Sequence, residues 1–152
     1  MERSFRIPYF FSVNRTRVIH IVQWAFRVVL AAVLLIAGIF KLQDNTALFE
    51  TVAYITWLPT GVRWLIIDLL PWAEIVLALL LLLRRFEFWV LSVTGLVYLG
   101  FFIFSIYGTA TGMEGDCGCF GDLMDSNFGP GMIIRNGLFL VMAGFLFYRP
   151  SD

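Results

Sequence analysis

Residues 88–110 read FWVLSVTGLVYLGFFIFSIYGTA, an unbroken stretch with no Asp, Glu, Lys, Arg or His. About 20 mostly apolar residues suffice for a helix to cross roughly 30 Å of hydrocarbon, so this run is long enough to span a bilayer. In lipid a backbone must satisfy its own hydrogen bonds, which selects a helix over an open strand. Three further runs flank it. Val18–Phe40 lies between Arg17 and Lys41, Val62–Leu83 stops at Arg84-Arg85, and Gly131–Tyr148 ends at Arg149-Pro150. The expected fold is all-α: a bundle of four transmembrane helices (about 18–40, 62–83, 88–110 and 131–148), preceded by an extension over residues 1–17.

Composition points the same way. The chain has 152 residues, of which 60% are hydrophobic and 14% charged. A soluble domain is about half apolar and about a quarter charged, and so keeps enough polar surface to face water. Here there is too little. A soluble enzyme, a disordered tail and a nucleic-acid binder are all excluded, and the first partner is the lipid bilayer. The 11 basic and 11 acidic residues cancel, so only their placement carries information.

That placement sets an orientation. Arg3, Arg6, Arg15 and Arg17 precede the first run, Arg84 and Arg85 separate the second from the third, and Arg149 follows the fourth. With four crossings all of these fall on one side, and short basic flanks stay in the cytoplasm. Both termini are therefore expected inside, and the loops 41–61 and 111–130 outside. No small-residue cleavage site follows the first run, so residues 1–17 do not read as a secretory signal. The first outer loop has its own pattern: Asp44 or Asn45 can cap a short helix whose Leu48, Val52 and Ile55 share a face, with Pro59 as its stop. Tyr54 and Trp57 suit an interfacial position for that helix.

Four ionisable residues fall inside the runs: Arg27, Asp68, Glu74 and Arg135. Intramembrane charges are costly and usually face the bundle interior in pairs. Counted from the run ends at 1.5 Å per residue, Arg27 and Glu74 both lie about 13 Å from the inner side, whereas Asp68 and Arg135 lie roughly 6–9 Å below the outer one. Two pairs are expected, Arg27 with Glu74 and Asp68 with Arg135. Arg27, Ala31, Leu34 and Gly38 recur at helical spacing, as do Pro71, Glu74 and Ala78, giving faces suited to close packing. Such pairs either hold the bundle together or line a proton path or a pocket for a quinone head group.

Both cysteines of the chain lie in Asp116-Cys117-Gly118-Cys119-Phe120-Gly121, in the second outer loop. A disulfide needs Cα atoms about 4.4–6.8 Å apart, which residues i and i+2 reach if the intervening Gly bends the chain. So small a ring removes little unfolded-state entropy and ties nothing distant together. Strained, easily reduced disulfides are the catalytic kind. An inert local disulfide and a metal site are the other readings of the pair. Zinc would need two further ligands, and the one histidine, His20, sits near the opposite side; two thiolates alone could hold Cu(I). Glu114, Asp116, Asp122 and Asp125 surround the pair and oppose thiolate formation, while Arg135 favours it.

Taken together, Ala37-Gly38-Ile39-Phe40-Lys41-Leu42, Leu70-Pro71-Trp72-Ala73-Glu74, and Cys117-Gly118-Cys119-Phe120-Gly121 with Arg135-Asn136 downstream resemble the MauE branch of the DoxX-like membrane proteins over about Arg27 to Phe147. The resemblance implies a four-helix bundle in a bacterial inner membrane, related in shape to thiol oxidants of the vitamin K epoxide reductase type. Its namesake is implicated in maturing methylamine dehydrogenase, a periplasmic enzyme rich in disulfides. Carried over, Cys117 and Cys119 become the redox pair, and Arg27, Glu74 and Arg135 become bundle residues. One departure from the epoxide reductase type is that no second cysteine pair is present to relay electrons.

The leading expectation is a membrane thiol–disulfide protein. Its cysteine pair would exchange with a periplasmic thioredoxin-like or client protein, with electrons passing to or from a carrier such as quinone. The rival is a non-catalytic subunit that packs against a larger membrane complex, using its extension and its aromatic surface.

Overall fold

The computed structural model describes residues 10–113 and 128–148, with side chains from 17 onward. Within these residues the chain is entirely helical: α1 (Phe10–Gln43), α2 (Thr46–Tyr54), α3 (Thr60–Leu83), α4 (Glu87–Ala110) and α5 (Pro130–Phe145). The apolar runs correspond to α1, α3, α4 and α5. Three of the helices, α1, α3 and α4, are long and apolar enough to cross a membrane, whereas α5 has 16 residues and is shorter. At 1.5 Å per residue, α3 and α4 extend about 36 Å and α5 about 24 Å.

α1 departs most from its expected bounds. It begins eight residues before Val18 and runs for 34 residues without a break, about 51 Å. Its buried positions are Arg27, Leu30, Ala31, Leu34, Ala37, Gly38 and Lys41, one stripe with the two-per-turn-pair spacing of a packed helix seam. α3 runs antiparallel against this stripe. Gly38 permits the contact, because a Cβ there would lie 2.7 Å from Ile75 Cγ1 and 2.8 Å from the Pro71 carbonyl oxygen. Small residues at such crossings let helix backbones approach where lipid supplies no hydrophobic drive between helices.

α4 pairs with α5 and completes the core with Val90, Leu91 and Tyr98 against Met142 and Ala143. Tyr98 is fully buried and donates its hydroxyl to the Leu30 carbonyl at 2.9 Å, so α4 is tied to α1 by polarity as well as by packing. The outward faces are apolar instead: Leu65, Leu69, Trp72 and Val76 on α3, and Phe88, Trp89, Leu96 and Ile103 on α4, are all exposed. In water such surface would drive association. In hydrocarbon it needs no cover.

The connections divide the bundle into two ends. At the turn end, α3 passes into α4 through three residues, of which Arg84 (φ 53°) and Phe86 (φ 51°) are left-handed. Each such non-glycine residue costs about 1–2 kcal/mol, a strain accepted to bring α4 back beside α3. At the loop end, α2 lays Leu48 and Val52 against Ile67 of α3, and Phe49 packs on Trp64 at 5.7 Å. The expected cap is shared differently between its two candidates. Asn45 occupies the N-cap position without a side-chain bond, while the Asp44 carboxylate accepts the Thr46 N–H at 2.9 Å. Hydrogen bonds from Thr46 hold that carboxyl below the usual carboxylate range. α2 stops at Tyr54, and Pro59 serves as the N-cap of α3 rather than the stop of α2.

Candidate functional site

Two layers of charge lie between the helices, and their partners differ from those the sequence suggests. At the turn end, Arg27 donates from Nη2 to Glu87 Oε1 at 2.6 Å and from Nη1 to the Leu81 carbonyl at 3.2 Å. Arg84 reaches the same Glu87 oxygen at 3.6 Å. Deeper in the bundle, Lys41 Nζ binds Glu74 Oε1 at 2.5 Å, with side-chain exposures of 2% and 1%.

The expected Arg27–Glu74 pair is therefore wrong. Taking Val18 as the membrane boundary placed Arg27 in mid-bilayer. In the structure Arg27 is level with the α3–α4 turn, and α1 continues past the bundle toward its N-terminus. The partner of Glu74 is Lys41, the residue that bounds the first apolar run. A signal for it was present: 27, 31, 34 and 38 alternate steps of four and three, and the next step on that face is 41. The long lysine stem then hangs back along the helix, since side chains tilt toward the N-terminus.

The outer pair also fails. Asp68 is exposed on α3, on the same face as Leu65, Leu69 and Trp72, and no ion pair joins it to Arg135. Arg135 is half-buried on α5, and its neighbour Asn136 is buried and donates to the Phe101 carbonyl at 3.3 Å.

At the Lys41–Glu74 pair residues of α1, α3 and α4 meet. Lys41 Nζ also lies 5.4 Å from the centre of the Phe101 ring on α4, a cation–π distance. Glu74 Oε2 and Thr94 Oγ1 are buried with no hydrogen-bond partner among the described residues. One carboxylate oxygen is thus committed to lysine, while the other has room for a further donor. Breaking such a pair leaves an uncompensated charge, so the arrangement is at least structural. No group of three or more His, Cys, Asp or Glu residues that could hold a metal occurs among the described residues.

Cys117 and Cys119 lie outside the described residues, but both flanks of their segment are placed. α4 ends at Ala110, and Met113 N–H returns to the Gly108 carbonyl at 3.0 Å. On the far flank, Phe128 packs on Phe104 at 5.6 Å, and its ring covers Gly108. Both ends of the cysteine-bearing segment therefore sit on α4 at the loop end. Cavities bounded by described residues lie at both ends of the bundle. A smaller one, about 290 Å³, is lined by Tyr54, Tyr107 and Thr111–Met113 beside this segment. The larger, about 850 Å³, opens at the turn end around Arg27 and Arg84.

A family model described as methylamine utilisation protein MauE matches residues 19–149, most of the chain. No curated protein and no solved structure matches it.

Proposed function

The chain belongs to the MauE family of membrane proteins, and from that premise we propose that it is a thiol–disulfide exchange protein of a bacterial inner membrane, with Cys117 and Cys119 as the reacting pair. α1, α3, α4 and α5 cross the bilayer, α2 lies at the outer interface, both termini are cytoplasmic, and the loop end faces the periplasm. The observation that carries this reading is the anchoring of both flanks of residues 114–127 on α4, through Met113–Gly108 and Phe128–Phe104. A segment with two cysteines separated by one glycine, both of whose flanks are held on one helix, suits docking and exchange better than clipping distant parts together.

In the oxidising direction a client thiolate attacks one sulfur of the Cys117–Cys119 disulfide and displaces the other as thiolate, forming a mixed disulfide. The second client thiolate then attacks the client sulfur of that bond. The client leaves with a disulfide, and the pair holds the two electrons as a dithiol. A quinone of the membrane can take those two electrons with two protons and restore the disulfide. The reverse sequence reduces a client. This chemistry does not depend on methylamine as substrate.

The test is acid quenching of intact membranes followed by thiol capture. Of Cys117→Ser and Cys119→Ser, one should abolish exchange, and the other should accumulate a mixed disulfide whose mass identifies the partner. If neither variant forms an adduct and the native pair stays oxidised in strongly reducing buffer, the motif is a static clip. A second reading would then gain, that of a non-catalytic subunit in a larger membrane complex. Asp68 favours it, because a carboxylate exposed among Leu65, Leu69 and Trp72 is costly against lipid unless a neighbouring protein offers a cation. In that case the double Cys→Ser variant retains both assembly and function.

A further inference from the structure

The cavity at the turn end has the composition of a binding site, and the cysteine chemistry does not use it. It measures about 850 Å³, within the ~300–1,000 Å³ of small-ligand sites. Its walls come from the N-terminal part of α1, the start of α4 and the end of α5. Gln23 donates to the Tyr148 carbonyl at 2.6 Å and so joins the first wall to the last.

Among the described residues that line it, three cationic or cation-forming side chains, His20, Arg27 and Arg84, face one acid, Glu87. Glu87 Oε1 is shared by both guanidinium groups, at 2.6 Å and 3.6 Å. Two positive charges against one negative leave an excess of one before His20 is counted. Arg27 is fixed by burial and by the Leu81 carbonyl, whereas Arg84 is 63% exposed at the mouth. The excess charge is therefore available to a ligand. Trp24 and Phe88, one amphipathic ring and one apolar, also line the cavity and are 62% and 65% exposed.

We propose that this cavity binds the head group of an anionic phospholipid, with its phosphodiester on Arg84 and Arg27 and its upper acyl chain along Trp24 and Phe88. Guanidinium groups match phosphate oxygens two at a time, and basic pockets between helices at a membrane surface recognise anionic head groups. A free anion would use the cations but leave the aromatic wall idle. The proposal is independent of the Cys117/Cys119 reading.

The test uses the full chain in nanodiscs or detergent, with lipid retention followed by native mass spectrometry and by thermal unfolding. Phosphatidylglycerol should be retained at one per chain and raise the unfolding temperature, whereas phosphatidylcholine and inorganic phosphate should do neither. Arg84→Gln should weaken phosphatidylglycerol binding about tenfold, the worth of one charge-assisted hydrogen bond. Arg85→Gln, the same charge change at a neighbour that does not line the cavity, should leave binding unchanged. His20→Gln gives a second variant on the opposite wall and should also weaken it. Equal losses for Arg84→Gln and Arg85→Gln would reduce the effect to surface electrostatics and overturn the site. Displacement of the lipid by inorganic phosphate would overturn the lipid as its occupant.

Discussion

Lys41 and Glu74 show how much one side chain's depth decides. Each is buried to within a few percent, and each is uncompensated without the other. Lys41→Met or Glu74→Leu alone should lower stability by about 3–5 kcal/mol, the usual loss when half of a buried pair is removed. The double variant Lys41→Met/Glu74→Leu should recover much of that loss. The same measurement distinguishes the two pairings. Arg27→Leu combined with Glu74→Leu should be additive, since Arg27 is bonded to Glu87 and Leu81 instead, whereas the Lys41 and Glu74 changes should couple strongly. Denaturant unfolding in mixed micelles reads both cycles, and strict additivity of the Lys41 and Glu74 changes would disprove the contact. Four intramembrane charges were legible in the sequence as residues to be placed. Their partners were not, because depth was counted from the ends of apolar runs, and the run of α1 starts nine residues before Arg27.

At the scale of elements, the contact between α1 and α3 depends on a missing side chain. Gly38 faces a backbone oxygen, that of Pro71, at a distance where a Cβ would lie 2.8 Å away. A flexible side chain could move aside, but a helix carbonyl moves only with its helix. Gly38→Ala should therefore cost about 1–3 kcal/mol, the range of overpacked cores. Gly38→Leu should separate the helices enough to break the Lys41–Glu74 pair as well, with loss of folded yield on size-exclusion chromatography. A Gly38→Ala variant as stable as the parent would mean that α1 and α3 do not meet at this crossing. The element boundaries themselves were largely legible: α3 and α4 start and end within two residues of the apolar runs, because lipid leaves helix as the only way to close the backbone. What escaped was the pre-bundle part of α1, since polar and aromatic residues 10–17 carry no apolar period, and the role of Pro59, which opens α3.

For the whole molecule, the sidedness of the bundle decides which chemistry its cysteines can perform. In the orientation proposed above, the Lys/Arg flanks hold Arg84 and Arg85 inside, and the one crossing by α4 puts Thr111 outside. Disulfides persist in the oxidising space and are reduced in the cytosol, so the redox reading stands or falls with this orientation. It can be measured without relying on the native pair's reactivity. On a Cys117→Ser/Cys119→Ser background, Thr111→Cys and Arg85→Cys each supply one exposed thiol at opposite ends of α4, beyond the helix in both cases. A membrane-impermeant maleimide should label Thr111→Cys in intact spheroplasts and Arg85→Cys only after permeabilisation. Both variants keep the charge on Glu87 and the packing of α4, so a labelling difference reports sidedness rather than misfolding. The reverse pattern would place Cys117 and Cys119 in the reducing compartment, where a pair exchanging with exported clients has no substrate.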